Sequence, residues 1–285
     1  MRQLLNLIAR YKRHIKRTFP TPRAIFHMRK QSNQSTFPFF NYSPNNNSNK
    51  THDLSTVDQS TIMTIDLYFN KKRVENMIQQ KTALEKLMEE RSSVRKYETG
   101  VTIPRETIEH ILQQATSAPS SSNLQPWRFL VIDDQEQKKE LRIAGFNQAQ
   151  IETSSAIIAV LGDNEMHKNA KQINDLNVEL GYMPRDIADM MIANSESTYS
   201  DLSDEQRTNI AHLDAGLITM QIVLLSKDMG YDTVIMGGFD KAAFAQKYEL
   251  PANEIPMVLI AIGKAAMPAR NSSRLPFEQI IRFSS

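Results

Sequence analysis

The stretch SDEQRTNIAHLDAGLITMQIVLLSKDMG, residues 203–230, limits what this chain can fold into more than any other. Ser203 with Gln206 three residues on is a capping-box pattern, in which each side chain bonds the other's backbone amide, and Gly230 supplies a stop. Between them the apolar residues wrap most of the helix circumference instead of forming one stripe. A helix of that kind is buried in a core or at a subunit interface. The chain must therefore provide a layer for it to pack on. WRFLVID at 127–133 and SAIIAVLG at 155–162 predict buried strands, being short, apolar and rich in β-branched residues. DTVIMGGF predicts a strand ending in two glycines, and IPMVLIAIGKA another apolar strand.

Further helices are predicted around them. Lys72 to about Glu90 carries apolar residues at three- and four-residue steps. In TIPRETIEHILQQATSA, Pro104 and Glu106 suit a first turn, Ile108, Ile111, Leu112 and Ala115 share a face, and Pro119 ends the helix. DKAAFAQKYEL predicts a short helix, and residues 164–200 hold helical pieces without clean periodicity, expected to form an excursion over a site. Helices and strands mixed without a regular βαβ repeat favour an α+β or three-layer α/β/α domain over a doubly wound nucleotide fold.

Composition separates the two ends of the chain. Residues 1–62 hold ten Lys/Arg against only Asp53 and Asp58, which leaves 24 basic and 30 acidic residues of the chain's 34 and 32 in 63–285. The expected organisation is a basic, Asn/Ser-rich tail over 1–62, largely disordered apart from a short basic helix at 2–17, and one domain over 63–285. A solvated tail, an over-long start ahead of Met63, an organelle-targeting or membrane-surface segment and a nucleic-acid-binding arm all stay open for the tail. No nucleic-acid partner is expected for the domain. The absence of cysteine excludes disulfides and thiol catalysis and is compatible with a reducing compartment. LLNLIA at 4–9 is too short and too quickly followed by basic residues for a secretory leader, so a cytoplasmic location is expected.

The usual catalytic signatures are missing. The six histidines have no metal spacing, and no GxSxG elbow, GxxxxGK[ST] loop or GxGxxG turn occurs. No metal is expected and no catalytic side chain is assigned, which leaves a bound organic cofactor as the expected source of chemistry. Arg91, Ser92, Ser93 and Arg95 place two guanidinium groups and two hydroxyls where they can grip a phosphate, with Arg274 as a third cation. A solvated basic helix C-terminus explains the same residues. Gly237 and Gly238 allow a flat ligand to approach the backbone closely, and a plain turn explains them nearly as well. His212 and Tyr231 read as packing residues. APSSSNLQPW, residues 118–127, crowds three serines and an asparagine between two prolines before the single tryptophan.

RSSVRKY, APSSSNLQPWRFLVI, FNQAQIETSSAIIAV, the long helix with GYDTVIMGGFD, PMVLIAIGKA and SRLPFEQII follow one another from about residue 66 to the C-terminus. In this order they resemble the nitroreductase family of FMN-dependent oxidoreductases. The resemblance implies a three-layer α/β/α sandwich with a mostly antiparallel sheet, and a homodimer with two FMN sites, each built from both chains. It implies that Arg91, Ser92, Ser93, Arg95 and Arg274 hold the phosphate and ribityl chain, and that Pro119, Ser120, Ser121, Ser122 and Asn123 of the other chain lie along the ring. Asn147 and Gln150 fall on the pyrimidine side of the ring, and Gly237 and Gly238 beside its reactive N5. Ser272, where many members have a basic residue, and Gly237, where several have Glu, depart from the pattern.

The activity implied is ping-pong transfer of electrons from NADH or NADPH to nitroaromatics, quinones or activated alkenes. The alternatives are a flavin-binding or storage protein with little turnover, or a specialised member such as a dehalogenase or heterocycle dehydrogenase. Trp127 is expected to anchor the serine loop by packing, and 164–200 to be a lid.

Overall fold

The computed structural model describes residues 81–284. The tail, its helix at 2–17, the boundary at 62/63 and residues 72–80 of the first predicted helix lie outside them. Helix α1, Ala83–Glu90, has its N-cap at Thr82, inside the span over which periodicity predicted one helix. Thr82 is extended, its hydroxyl accepts the Glu85 amide at 3.2 Å, and the Glu85 carboxylate accepts the Thr82 amide at 2.6 Å. This capping box starts a helix where the spacing alone suggested the middle of one. Thr82→Ala is expected to cost the helix about 1 kcal/mol. Amide exchange at Leu87 and Met88 should then quicken roughly fivefold.

Helix α2, Arg105–Ala115, buries Ile108, Ile111 and Ala115, the face predicted for it. Strands β1 (Trp127–Ile132), β2 (Ala156–Asp163), β3 (Asp232–Met236) and β4 (Glu254–Gly263) form one antiparallel sheet in the order β1-β2-β4-β3. β1 was expected to be buried, yet Arg128 to Val131 are only half-buried because β1 is an edge strand, with one neighbour. Helix α3, Gln135–Ala144, is capped by Asp134, and α4, Ala149–Thr153, leads into β2. Periodicity missed α3 because Leu141 is the only apolar side chain it buries; Lys138 is buried beside it and donates to the Ser154 carbonyl at 2.5 Å.

Residues 164–200 form two helices, α5 (Ala170–Glu179) and α6 (Arg185–Ser200), joined through Gly181, φ +72°, and Pro184. Their apolar residues Leu176, Leu180, Tyr182 and Met190 are exposed, which is why no buried face appeared in the sequence. Helix α7, Asp204–Asp228, carries the predicted capping box at Ser203 and Gln206, and α8, Lys241–Lys247, is capped by Asp240. Among the described residues α7 alone is long and apolar enough to cross a bilayer, with mean hydropathy 1.3 over an 18-residue window.

Side-chain alternation in β2 divides the core into two clusters. Ala156, Ile158 and Val160 join Ile111 of α2 and Ile218 and Ile222 of α7 on one face. Ile157, Ala159 and Leu161 join Leu141 of α3, Ile151 of α4 and Phe244 of α8 on the other. Helices therefore cover both faces of the sheet, giving the three layers expected. Trp127 is 6% exposed within the α7 cluster, so it is the packing anchor predicted.

Candidate functional site

Apart from Arg274, the predicted site residues fall into two groups on opposite edges of the sheet. At the β3 edge, Ser92 to Tyr97 are not a helix C-terminus. Val94 donates to the Thr233 carbonyl at 3.0 Å, Glu98 to Lys264 at 2.9 Å and Ala266 to Lys96 at 2.9 Å. Val94 and Tyr97 point into the core, and the Tyr97 hydroxyl donates to the Ala261 carbonyl at 3.0 Å. Burial pushes the Tyr97 phenol well above its usual range. These two side chains fasten the segment, so the others are left to the surface: Arg91, Ser92 and Ser93 are half-buried and Arg95 is exposed. Arg91 itself caps α1, its amide donating to the Leu87 carbonyl. Among the described residues neither Arg91 nor Arg95 forms an ion pair; the Arg95 guanidinium reaches only the Ser93 carbonyl, at 3.4 Å.

Gly237 and Gly238 follow β3 directly, and a Cβ at either would meet nothing within 4 Å. Thr233, beside Ser93, and Gly237 are about 13 Å apart along the strand by its ordinary rise. The turn between α3 and α4 docks here, because the Gln148 amide donates to the Gly238 carbonyl at 2.8 Å and the Asp240 amide to Ala144 at 2.8 Å. Asn147 is exposed on this turn. Gln150 is 8% exposed, its amide turned inward to Gln148 Oε1 at 2.9 Å and Met236 Sδ at 3.4 Å. Sequence reasoning missed Gln148, whose only signal was its place between the two residues singled out. Phe146, 65% exposed, stands beside Asn147 in the same turn.

The serine loop stands at the other edge, before β1. Ser120 and Ser121 spend their side chains within the protein. Ser120 Oγ accepts the Gln125 amide at 3.0 Å, and Ser121 donates its amide and hydroxyl to the Asp214 carboxylate of α7 at 3.0–3.1 Å. Ser122 Oγ lies 2.9 Å from the Tyr199 hydroxyl at the end of α6. Asn169 donates to the Leu124 carbonyl at 2.9 Å, and Arg128, paired with Asp163 at 2.8 Å, to the Gln125 carbonyl at 3.3 Å. Pro119, Ser122 and Asn123 remain exposed. Among the described residues Asp214 has no cationic partner, and burial raises its carboxyl above the usual range against the lowering effect of the Ser121 hydrogen bonds.

Backbone strain marks both loops. Among the described residues six non-glycines have positive φ, and five of them are Ser122, Asn123, Gln125, Phe146 and Asn147. Such conformations cost of order 1 kcal/mol or more each and persist only where surrounding contacts fix them.

β2 and β4 separate the two edges, about 14 Å by ordinary strand spacing. No hydrogen bond or ion pair links the two groups within the described chain. Arg274 joins neither: it donates to Ser272 Oγ at 2.7 Å and to the Ser273 carbonyl at 2.9 Å. His212, expected to pack, is exposed on α7, whereas Tyr231 packs against the core with Lys264 over its ring.

The profile described as the Nitroreductase family matches residues 88–264, which takes in the arginine segment, the serine loop, the 146–150 turn and the two glycines. The chain belongs to this family. The nitroreductase-family chain is 42% identical over 196 residues to a Bacillus subtilis (strain 168) protein named as an NAD(P)H nitroreductase, YdgI, covering 68% of this chain and 94% of the relative. It is 29% identical to the CLA biosynthesis enone reductase of Lactiplantibacillus plantarum, over 66% of this chain and 88% of that one. A solved nitroreductase from Exiguobacterium sibiricum 255-15, in complex with FMN, is 38% identical and superposes with a TM-score of 0.68, covering 72% of this chain and 99% of that one.

Proposed function

We propose that this chain, an NAD(P)H-dependent flavin oxidoreductase with FMN as its cofactor, works as a homodimer in which each FMN lies between the β3 edge of one subunit and the serine loop of the other. The observation that carries the two-chain reading is the separation of the two residue groups onto opposite sheet edges. Two further features support it. The outer side of α7 exposes Leu213, Leu217 and Met220, so this apolar helix has a face that the described residues do not cover. The C-terminal segment leaves Leu275, Phe277, Ile280 and Phe283 between 61% and 85% exposed.

The β3 edge fits an anionic group at one end and a planar ring at the other. Among the described residues Arg91 and Arg95 have no acidic partner to compete with a phosphate, Ser92 and Ser93 add hydroxyls, and Arg274 would join them. Gly237 and Gly238 leave open space where a ring can meet the backbone. Asn147 and the Gln148–Gln150 pair would set the ring's pyrimidine side, and Pro119, Ser122 and Asn123 would cover it from the partner. When bound, FMN supplies the electron transfer, taking hydride from a nicotinamide and then reducing an electron-poor acceptor in a ping-pong cycle. The protein's part is to orient the ring, exclude water and hold negative charge near fixed cations and backbone amides. Nitroaromatics, quinones and activated alkenes are the acceptor classes, and the relative named as an enone reductase supports the last. α5 and α6 would form the lid over the acceptor, and the cytoplasm is the proposed location.

Anaerobic stopped-flow mixing with NADH or NADPH tests the activity. The flavin absorbance of the purified protein is expected to bleach with at least one donor and to return when a quinone is added. A flavin that stays oxidised with both donors would mean that the protein only binds the cofactor.

A further inference from the structure

We infer that Asp214 is a positioning residue for the cofactor: from α7 it fixes the 120–125 loop in the shape that serves the FMN held by the other subunit. The inference rests on the two-chain reading above and adds to it a residue 93 positions from Ser121 of the loop.

Asp214 is 1% exposed on a helix that otherwise buries apolar and small residues, and no lysine or arginine pairs with it. A buried carboxylate without a cation is costly unless its oxygens are hydrogen-bonded. The hydrogen bonds of this one go to Ser121 alone, from its amide to both oxygens and from its hydroxyl to one. Ser121 is the last residue before the left-handed pair Ser122 and Asn123, φ 50° and 55°. A serine in that conformation relaxes unless both ends are held. Ser120 Oγ and Arg128 hold the far end at Gln125, and Asp214 holds the near end by accepting the Ser121 amide and hydroxyl. The Tyr199 hydroxyl, 2.9 Å from Ser122 Oγ, and the Ser120 carbonyl, which accepts the Asn123 amide at 3.0 Å, touch the pair itself, but only Asp214 ties the residue before it to α7; without the carboxylate Ser122 and Asn123 should shift from the conformation that leaves them exposed beside Pro119, while the phosphate grip on the same chain is untouched.

Placement in trans gives the test. Arg91→Ala and Asp214→Ala homodimers are each expected to bind FMN roughly tenfold or more weakly, since each removes hydrogen bonds to a charged group. Co-expressed with two different tags and purified as the heterodimer, the two variants should regain one tight FMN site of the two. That site combines the intact arginines of the Asp214→Ala chain with the intact loop of the Arg91→Ala chain. The control heterodimer pairs Arg91→Ala with Asn123→Ala. If the control regains a tight site and the Asp214 pair does not, the role of Asp214 is overturned while the two-chain reading stands. If neither pair regains one, the two-chain reading falls and takes the inference with it. Should the Asp214→Ala chain fail to fold, Asp214→Asn replaces it. That variant keeps one acceptor oxygen for Ser121, should weaken FMN about fivefold as a homodimer, and should complement in the same way. Unchanged FMN affinity in a folded Asp214→Ala homodimer would also overturn the inference.

Discussion

Replacing both Arg91 and Arg95 by alanine is expected to strip the protein of its flavin without unfolding it. A hydrogen bond to a charged group contributes about 1.5–3 kcal/mol, so each single variant should bind FMN roughly ten- to a hundredfold more weakly. The double variant should lose more, although less than the product of the two, because guanidinium groups sharing one phosphate are coupled. The fold should tolerate the change. Val94 and Tyr97 pack this segment against β3 and β4, whereas the two arginines form no ion pair and Arg95 is exposed. Surface substitutions of this kind usually stay within about 0.5 kcal/mol. Flavin fluorescence released on dilution, read beside the thermal midpoint of the apo-protein, separates the two effects. Full occupancy and unchanged affinity in both single variants would show that the phosphate lies elsewhere.

The same segment shows what a sequence can and cannot disclose. The crowding of arginine and serine at 91–95 is local and legible, as is the capping box that starts α7 at Ser203, whereas the burial of Val94 and Tyr97 that fastens the segment is decided by β3 and β4 far along the chain. β2 and β4 were legible because both of their faces are buried, which leaves unbroken apolar runs. α3 was not, since a helix that buries a single leucine beside a lysine has almost no stripe to detect. Thr82 illustrates a different failure: apolar spacing runs through it, and only its bond with Glu85 decides that a helix begins there. The loops were harder still. Nothing in SSNLQ or GFNQ requires left-handed backbone, because asparagine tolerates it but serine, glutamine and phenylalanine ordinarily avoid it. Contacts distant in the chain impose it, and Asp214 reads as an isolated polar residue in an apolar helix until the fold brings Ser121 to it.

If the chain forms the proposed dimer, removal of its C-terminal segment after Met267 is expected to leave a monomer that does not retain FMN. Leu275, Phe277, Ile280 and Phe283 are exposed among the described residues, and burying a large apolar side chain contributes about 1.5–3 kcal/mol. Four such side chains from each of two subunits would exceed the cost of association by enough to make the dimer stable. In the proposed dimer the second subunit would offer two surfaces that the described residues leave open, the outer side of α7 and the half-buried edge strand β1. β1 leads directly from the serine loop, so a segment packed beside it would also tie the loop to the subunit whose phosphate grip it faces. Truncation also removes Arg274. The variant Arg274→Ala, with the apolar residues intact, separates the two losses: it should remain a dimer and bind FMN only moderately more weakly. Sedimentation velocity and the ratio of flavin to protein absorbance give both results in one preparation. A truncated protein that stays dimeric with full flavin would leave α7 as the whole interface and assign the exposed C-terminal side chains another partner.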